Sequence, residues 1–104
     1  MIEIYRRKTN GIKAGAVRVK FDNFGVPNYW NEIFEFLHSS ERFKSYLFTG
    51  RILIIKTKDG EFKVGNNFWI VKFSNGVVFP FSSDSFEKEF ERDVKKTRME
   101  VIVG

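Results

Sequence analysis

Apolar residues recur along this chain with a period of two through most of its length, and with a helical period in two short stretches. From Gly15 to Phe21, Val17, Val19 and Phe21 point one way and Arg18 and Lys20 the other, the alternation of a half-buried strand. Ile2 to Arg7 reads as an opening strand or extended arm. Asn10-Gly11 reads as a turn, because both residues tolerate positive φ. Asp22 to Gly25 is a loop, and Pro27 suits the first turn of a helix, where a missing N–H is no loss. Tyr29, Ile33 and Leu37 recur at i+4, as do Trp30 and Phe34, while Asn31, Glu32 and Glu35 fall opposite. This predicts one helix from about Asn28 to His38. Ser39-Ser40 interrupts it, and Ser40 is placed to cap a short second turn carrying Phe43 and Leu47.

Gly50 resets the pattern. Arg51 to Lys58 contains Ile-Leu-Ile-Ile, a β-branched strand, and Asp59-Gly60 is a favoured hairpin turn leading back through Glu61 to Val64. Gly65-Asn66-Asn67 turns again, Phe68 to Phe73 runs as a strand, Asn75-Gly76 turns tightly, and Val77 to Phe81 completes a meander. Asp84 followed by Glu87 has the form of a capping box with Asp as the cap, and Phe86, Phe90 and Val94 line one face of the helix it opens. Thr97 to Val103 reads as a last strand, with Met99, Val101 and Val103 on one side. No linker or repeat divides residues 1–104, which are expected to form one domain. The predicted class is α+β: a small curved antiparallel sheet, a meander open or partly closed into a barrel, packed with one main helix and one short C-terminal helix.

Thirteen Phe, two Trp and three Tyr give this pattern an unusual core. An enclosed ring buries roughly 150–250 Å², so aromatic residues alone can build a substantial interior. There are too many to enclose, and some of Tyr29, Phe36, Tyr46, Phe79 and Phe81 are expected to reach the surface and form a contact patch. Cysteine is absent, which excludes disulfides and thiolate metal sites. No apolar run has the length of a signal peptide core or a membrane span, so a soluble, cytoplasmic protein is expected.

Candidate chemistry is sparse. His38, the only histidine, sits at a helix end where dipole contact explains it, and no catalytic partner accompanies it. Asp22, Asp59, Asp84 and Asp93 are scattered and form no ligand set. No phosphate-binding glycine loop or nucleophile elbow occurs. The expectation is no catalytic residue, no metal and no cofactor. The net charge is +5, and Arg6, Arg7, Lys8, Lys13, Arg18 and Lys20 crowd the first fifth of the chain, opposed there by Glu3 and Asp22. If the first two strands pair, these six residues can form one exposed patch for a partner or for nucleic acid, with steeply salt-dependent affinity in the second case.

Tyr5-Arg6-Arg7-Lys8, the Glu32 to Leu37 helix, Leu53-Ile54-Ile55, Gly65, Trp69-Ile70-Val71, Asn75-Gly76, Phe79-Pro80, and Asp84-Ser85-Phe86-Glu87 through Phe90-Glu91 follow one another in a distinctive order. That order resembles a widespread family of small phage and prophage proteins of undefined biochemical function. Thr9 stands where the family usually has Pro, Asn66-Asn67 replaces a single Asp, Phe81-Ser82-Ser83 replaces a Cys-Lys-Pro-like stretch, and the tail from Arg92 extends past the family's usual end. The resemblance implies origin and topology. With surplus aromatics beside polarised charge, it leads to the expectation of a phage- or prophage-encoded, non-enzymatic binding module. Its expected partner is a host or defence protein, which it would engage as an inhibitor such as an anti-CRISPR. A nucleic-acid-binding accessory protein is the alternative, and a minor virion or assembly protein a third. An exposed strand edge would allow a dimer.

Overall fold

A computed structural model describes residues 2–93. The expected strand at Thr97 to Val103, and Val94 on the second helix, lie outside them. The elements run β1 (Glu3–Arg7), β2 (Lys13–Arg18), α1 (Trp30–His38), β3 (Phe43–Thr49), β4 (Ile52–Thr57), β5 (Gly60–Val64), β6 (Trp69–Phe73), β7 (Val78–Phe81), α2 (Ser83–Glu89) and β8 (Phe90–Arg92). The fold is α+β. Its strands form two antiparallel sheets, one ordered β7-β6-β2-β1-β8 and one ordered β3-β4-β5, and not a closed barrel.

Strand β2 sits at the middle of the larger sheet, where both faces must be covered. Its alternation serves both: Val17, continued by Val19 and Phe21, enters one core, while Ala14 and Ala16 enter the other. The first core joins Ile70 and Val78 of the large sheet to Ile33, Phe36 and Leu37 of α1 and to Leu53, Ile55 and Val64 of the small sheet. Gly15 makes room for α1, because a Cβ there would stand 3.1 Å from a ring carbon of Phe36. On the other face α2 crosses between β7 and β8, the two outer strands. Its Phe86 packs on Trp69 and Tyr5 with ring centroids 4.1 and 4.8 Å away, and Phe90 meets Phe81 at 5.2 Å. The short side chains of Ala14 and Ala16 let those rings approach the sheet.

Four local expectations are corrected. The stretch carrying Phe43 and Leu47 is strand β3, not a helical turn. Phe43, Tyr46 and Phe48 face Thr57, Ile55 and Leu53 across β4, with a bulge near Lys44, and pairing along seven residues outweighs an i+4 coincidence. The hydroxyl of Ser40 instead donates to the Gly76 carbonyl, tying the end of α1 to the β6–β7 turn. The cap of α2 is Ser82, whose hydroxyl accepts from Ser85 N at 3.3 Å, and Asp84 lies inside the first turn. Helix α1 begins at Trp30, after Tyr29 in a left-handed conformation with φ 58°, and Pro27 lies upstream in a bridge with Phe21. Of the five candidate surface rings, Phe36 is the one buried in the first core. Pro80 lies on outer strand β7, where a missing donor is tolerated. No helix among the described residues is long and apolar enough to cross a membrane.

Leu53 is fully enclosed where α1 and both sheets meet. Leu53→Ala is expected to cost about 2–5 kcal/mol by deleting buried methyl groups and leaving a cavity. Urea unfolding checks this, and the midpoint should fall with the slope unchanged.

Candidate interaction surface

The six basic residues singled out near the N-terminus do not coalesce. Strands β1 and β2 pair as required, with Arg6 opposite Lys13, but Arg18 lies at the far end of β2 against Trp69 of β6. Alternation also sends Arg6 and Lys13 to one face of the sheet and Arg7 and Arg18 to the other. Carboxylates close in sequence to the other end of the chain meet three of them: Arg6 with Glu91 at 2.7 Å, Arg7 with Glu89 at 3.2 Å and Lys13 with Asp93 at 3.1 Å. Lys8 donates to the Glu87 carbonyl at 2.9 Å, while Arg18 reaches the Ser83 hydroxyl at 3.4 Å and lies 6.0 Å from the Trp69 ring centroid. Lys20 is exposed beside the Asp22 loop. Half of the expected patch is thus compensated by the acidic segment that α2 and β8 bring alongside.

Excess positive charge stands elsewhere. Between Arg42 and Gly65 there are six basic residues, Arg42, Lys44, Arg51, Lys56, Lys58 and Lys63, against Asp59 and Glu61, an excess of four. Asp59 is held by Arg42 through two contacts of 2.5 and 2.6 Å, and Glu61 stands 3.7 Å from Lys56. Among the described residues, Lys44, Arg51, Lys58 and Lys63 enter no ion pair.

Of these basic residues, Lys56 and Lys63 stand on the outer face of the small sheet. Register places Leu47 opposite Ile54, Thr49 opposite Ile52, Ser45 opposite Lys56, and Lys63 opposite Ile54. The inner face, with Leu53 and Ile55, is buried. Among the described residues no layer covers the outer face, and Leu47 is 57% exposed. Beside it stands the Asp22 loop. One carboxylate oxygen of Asp22 accepts from Phe24 N at 2.8 Å and Val26 N at 3.0 Å, fixing the turn. At Gly25, φ is +78° and a Cβ would stand 2.9 Å from the Gly50 carbonyl oxygen, so this loop abuts the β3–β4 turn. The held loop carries Phe24 at its tip, 91% exposed. Tyr29 is exposed as expected from the sequence, and so are Tyr46 and Phe79.

Phe24 was legible in part: an aromatic within Asp-Asn-Phe-Gly has no element of its own to bury it. The outer face was not, because the β3 register that brings Leu47 to Ile54 went unrecognised. An open groove of about 1060 Å³, lined by Ile2, Ile4, Ala14, Phe36, Lys72 and Asp93 among others, lies on the α1 side of β1 and β2. The Lys72 ammonium there donates to the Phe36 carbonyl at 3.1 Å and to the Ser39 hydroxyl, and lies 4.5 Å from the Phe36 ring centroid. Burial lowers its pKa. Its hydrogen bonds tie the end of α1 to the sheet, where a cation also suits the helix dipole. His38 is wedged between the rings of Phe34 and Phe43, at 4.4 and 5.3 Å. No group of three or more His, Cys, Asp or Glu among the described residues is placed to hold a metal.

The Arg42 guanidinium holds the Asp59 carboxyl below its ordinary pKa, chiefly through their hydrogen bond. A carboxylate depressed in the folded state stabilises it above the unfolded pKa, and the contribution disappears as pH falls through the folded value. The melting temperature gap between wild type and Asp59→Asn, measured by calorimetry, should therefore be present at neutral pH and close in acid. Phe24→Ser should change stability by less than about 0.5 kcal/mol, since the ring is outside the core, and urea denaturation checks that.

Against family models, curated proteins and solved structures, the chain matches none.

Proposed function

We propose that the chain is a non-enzymatic binding module, of phage or prophage origin, that engages a host or defence protein through the open face of β3-β4-β5 and the adjoining Phe24 loop. Acting as an inhibitor of the bound protein, as an anti-CRISPR does, is the role this reading favours, and the host cytoplasm its place of action. The resemblance of the ordered fragments to small phage proteins supports the origin. The observation that carries the binding reading is Phe24, 91% exposed at the tip of a turn fixed by two backbone donors to Asp22. Exposing a ring in this way forgoes burial of roughly 150–250 Å². A rigid loop that presents an aromatic residue loses little entropy on binding, which is how interface anchors gain energy. Leu47 and Ile52 extend the apolar area, and the surrounding lysines steer an acidic partner.

Nucleic-acid binding through the N-terminal strands remains the second reading, and it has a separate test. Mobility shift at low salt with Arg6, Arg7 and Lys8 reversed to Glu should match wild type if those cations serve the carboxylates of α2 and β8. Partner capture tests the first reading. Tagged wild type incubated in bacterial lysate should recover a specific protein, identified by mass spectrometry, and Phe24→Ser with Leu47→Ser should lower recovery at least about tenfold, the loss of roughly 1.4 kcal/mol. Equal recovery by the double variant would remove this surface from the proposal.

A further inference from the structure

Strand β3 carries a second, independent feature. In a strand with one face turned inward, exposure alternates from residue to residue. In β3 the four consecutive residues Lys44, Ser45, Tyr46 and Leu47 are all exposed. Strand β3 is an outer strand of its sheet, and Tyr46, though on the α1 side, is still 39% exposed. The other outer strand of the small sheet, β5, is approached by β7, with the Phe62 and Phe79 rings 5.2 Å apart. Strand β8, at the far side of the large sheet, is only three residues long. The seven-residue β3 therefore presents the longest open row of backbone donors and acceptors among the described strands, and such rows pair with added strands.

We propose that β3 is a docking edge to which an extended acidic segment of the partner protein adds as a fourth strand. This deepens the binding reading above and rests on it. Charge complementarity selects the occupant. Neighbouring strands lie about 4.8 Å apart, so Lys56, one strand in and opposite Ser45, is about 10 Å from the added backbone and within joint reach of a glutamate. Lys44, on β3 itself, is nearer. Lys63 lies two strands in and contributes to the field alone. On the other face, Tyr46 stands at the margin of an aromatic group with Trp30 and Phe48, whose centroids are 4.8 and 5.3 Å from its own. An added strand thus meets cations outward and aromatic rings inward, which specifies a segment alternating acidic and apolar residues. A second copy of β3 fits poorly. It would bring its own Lys44 and Lys56 to the same face, and like charges across strands repel. A nucleic acid strand satisfies the cations but has no amide ladder for the edge.

The test uses the full chain, isotopically labelled, with three probes: a blocked decapeptide alternating Glu and Val, its Lys and Val counterpart, and a mixed-sequence single-stranded DNA of twelve nucleotides. The Glu peptide should shift amide resonances at Lys44 to Thr49 and slow their hydrogen exchange about tenfold or more. Lys44→Glu with Lys56→Glu should weaken that peptide at least about tenfold, equivalent to roughly 1.4 kcal/mol, and reverse the preference between the two peptides. Equal binding of both peptides, shifts confined to β8 or the groove, tighter binding of DNA, or concentration-dependent shifts at β3 without any probe would each overturn the inference. Partner capture that depends on Phe24 yet ignores the two charge reversals would overturn strand addition and leave the binding reading intact.

Discussion

The structure depends on the thinness of β2. Ala14, Gly15 and Ala16 follow one another in the middle strand of the large sheet, and each clears space for a ring or a helix on one face or the other. Phe36 approaches over Gly15 from one side, and Trp69, Phe86 and Phe90 pack around the two alanines on the other. A bulkier residue at any of these positions would push a layer away from the sheet, and overpacking of this kind costs stability as surely as a cavity does. Because β2 carries a core on each face, the aromatic surplus is largely absorbed. The exposed rings lie at the margins, at Phe24 in its loop, Tyr29 before α1, Tyr46 on the small sheet and Phe79 on outer strand β7.

Much of this was legible in the sequence, and the reasons differ by element. Strands β4, β5, β6 and β7 are bounded by Asp59-Gly60, Gly65-Asn66-Asn67 and Asn75-Gly76, turns whose residues accept positive φ, so both limits and direction follow from local chemistry. Helix α1 followed from its i+4 apolar repeat. Strand β3 did not, because Phe43 and Leu47 mimic a helical interval, and a bulge at Lys44 breaks the period-two alternation that would have marked a strand. Its identity comes from pairing with β4, a tertiary fact. The cap of α2 was misassigned because Ser82, Ser83 and Asp84 are all good cap residues, and only the path of the chain out of β7 decides among them.

The charged surface was least legible. Six cations near the N-terminus make a patch on paper, yet Glu89, Glu91 and Asp93, some eighty positions away, stand beside three of them. The sequence after Ser83 is rich in Asp and Glu, but nothing in it says that this stretch lies against the basic one. Once those charges cancel, the cations of the β3-β4-β5 hairpins become the dominant field, although no single stretch there is conspicuously basic. Exposed pairs of this kind contribute little to stability individually. Their effect is on where the molecule attracts a partner.

The antiparallel pairing of β1 with β8 has a bearing on biosynthesis. The fifth strand of the large sheet comes from Phe90 to Arg92, and α2 reaches its place only with that strand. A ribosome releasing the chain from its amino end exposes Tyr5, Trp69 and Phe73 before their cover exists. Contacts of such long sequence separation form slowly. Between the making of Phe73 and of Phe90 the nascent polypeptide consequently carries a sticky aromatic face, and chaperone engagement in that interval is the natural counterpart of a sheet completed by a late-made strand.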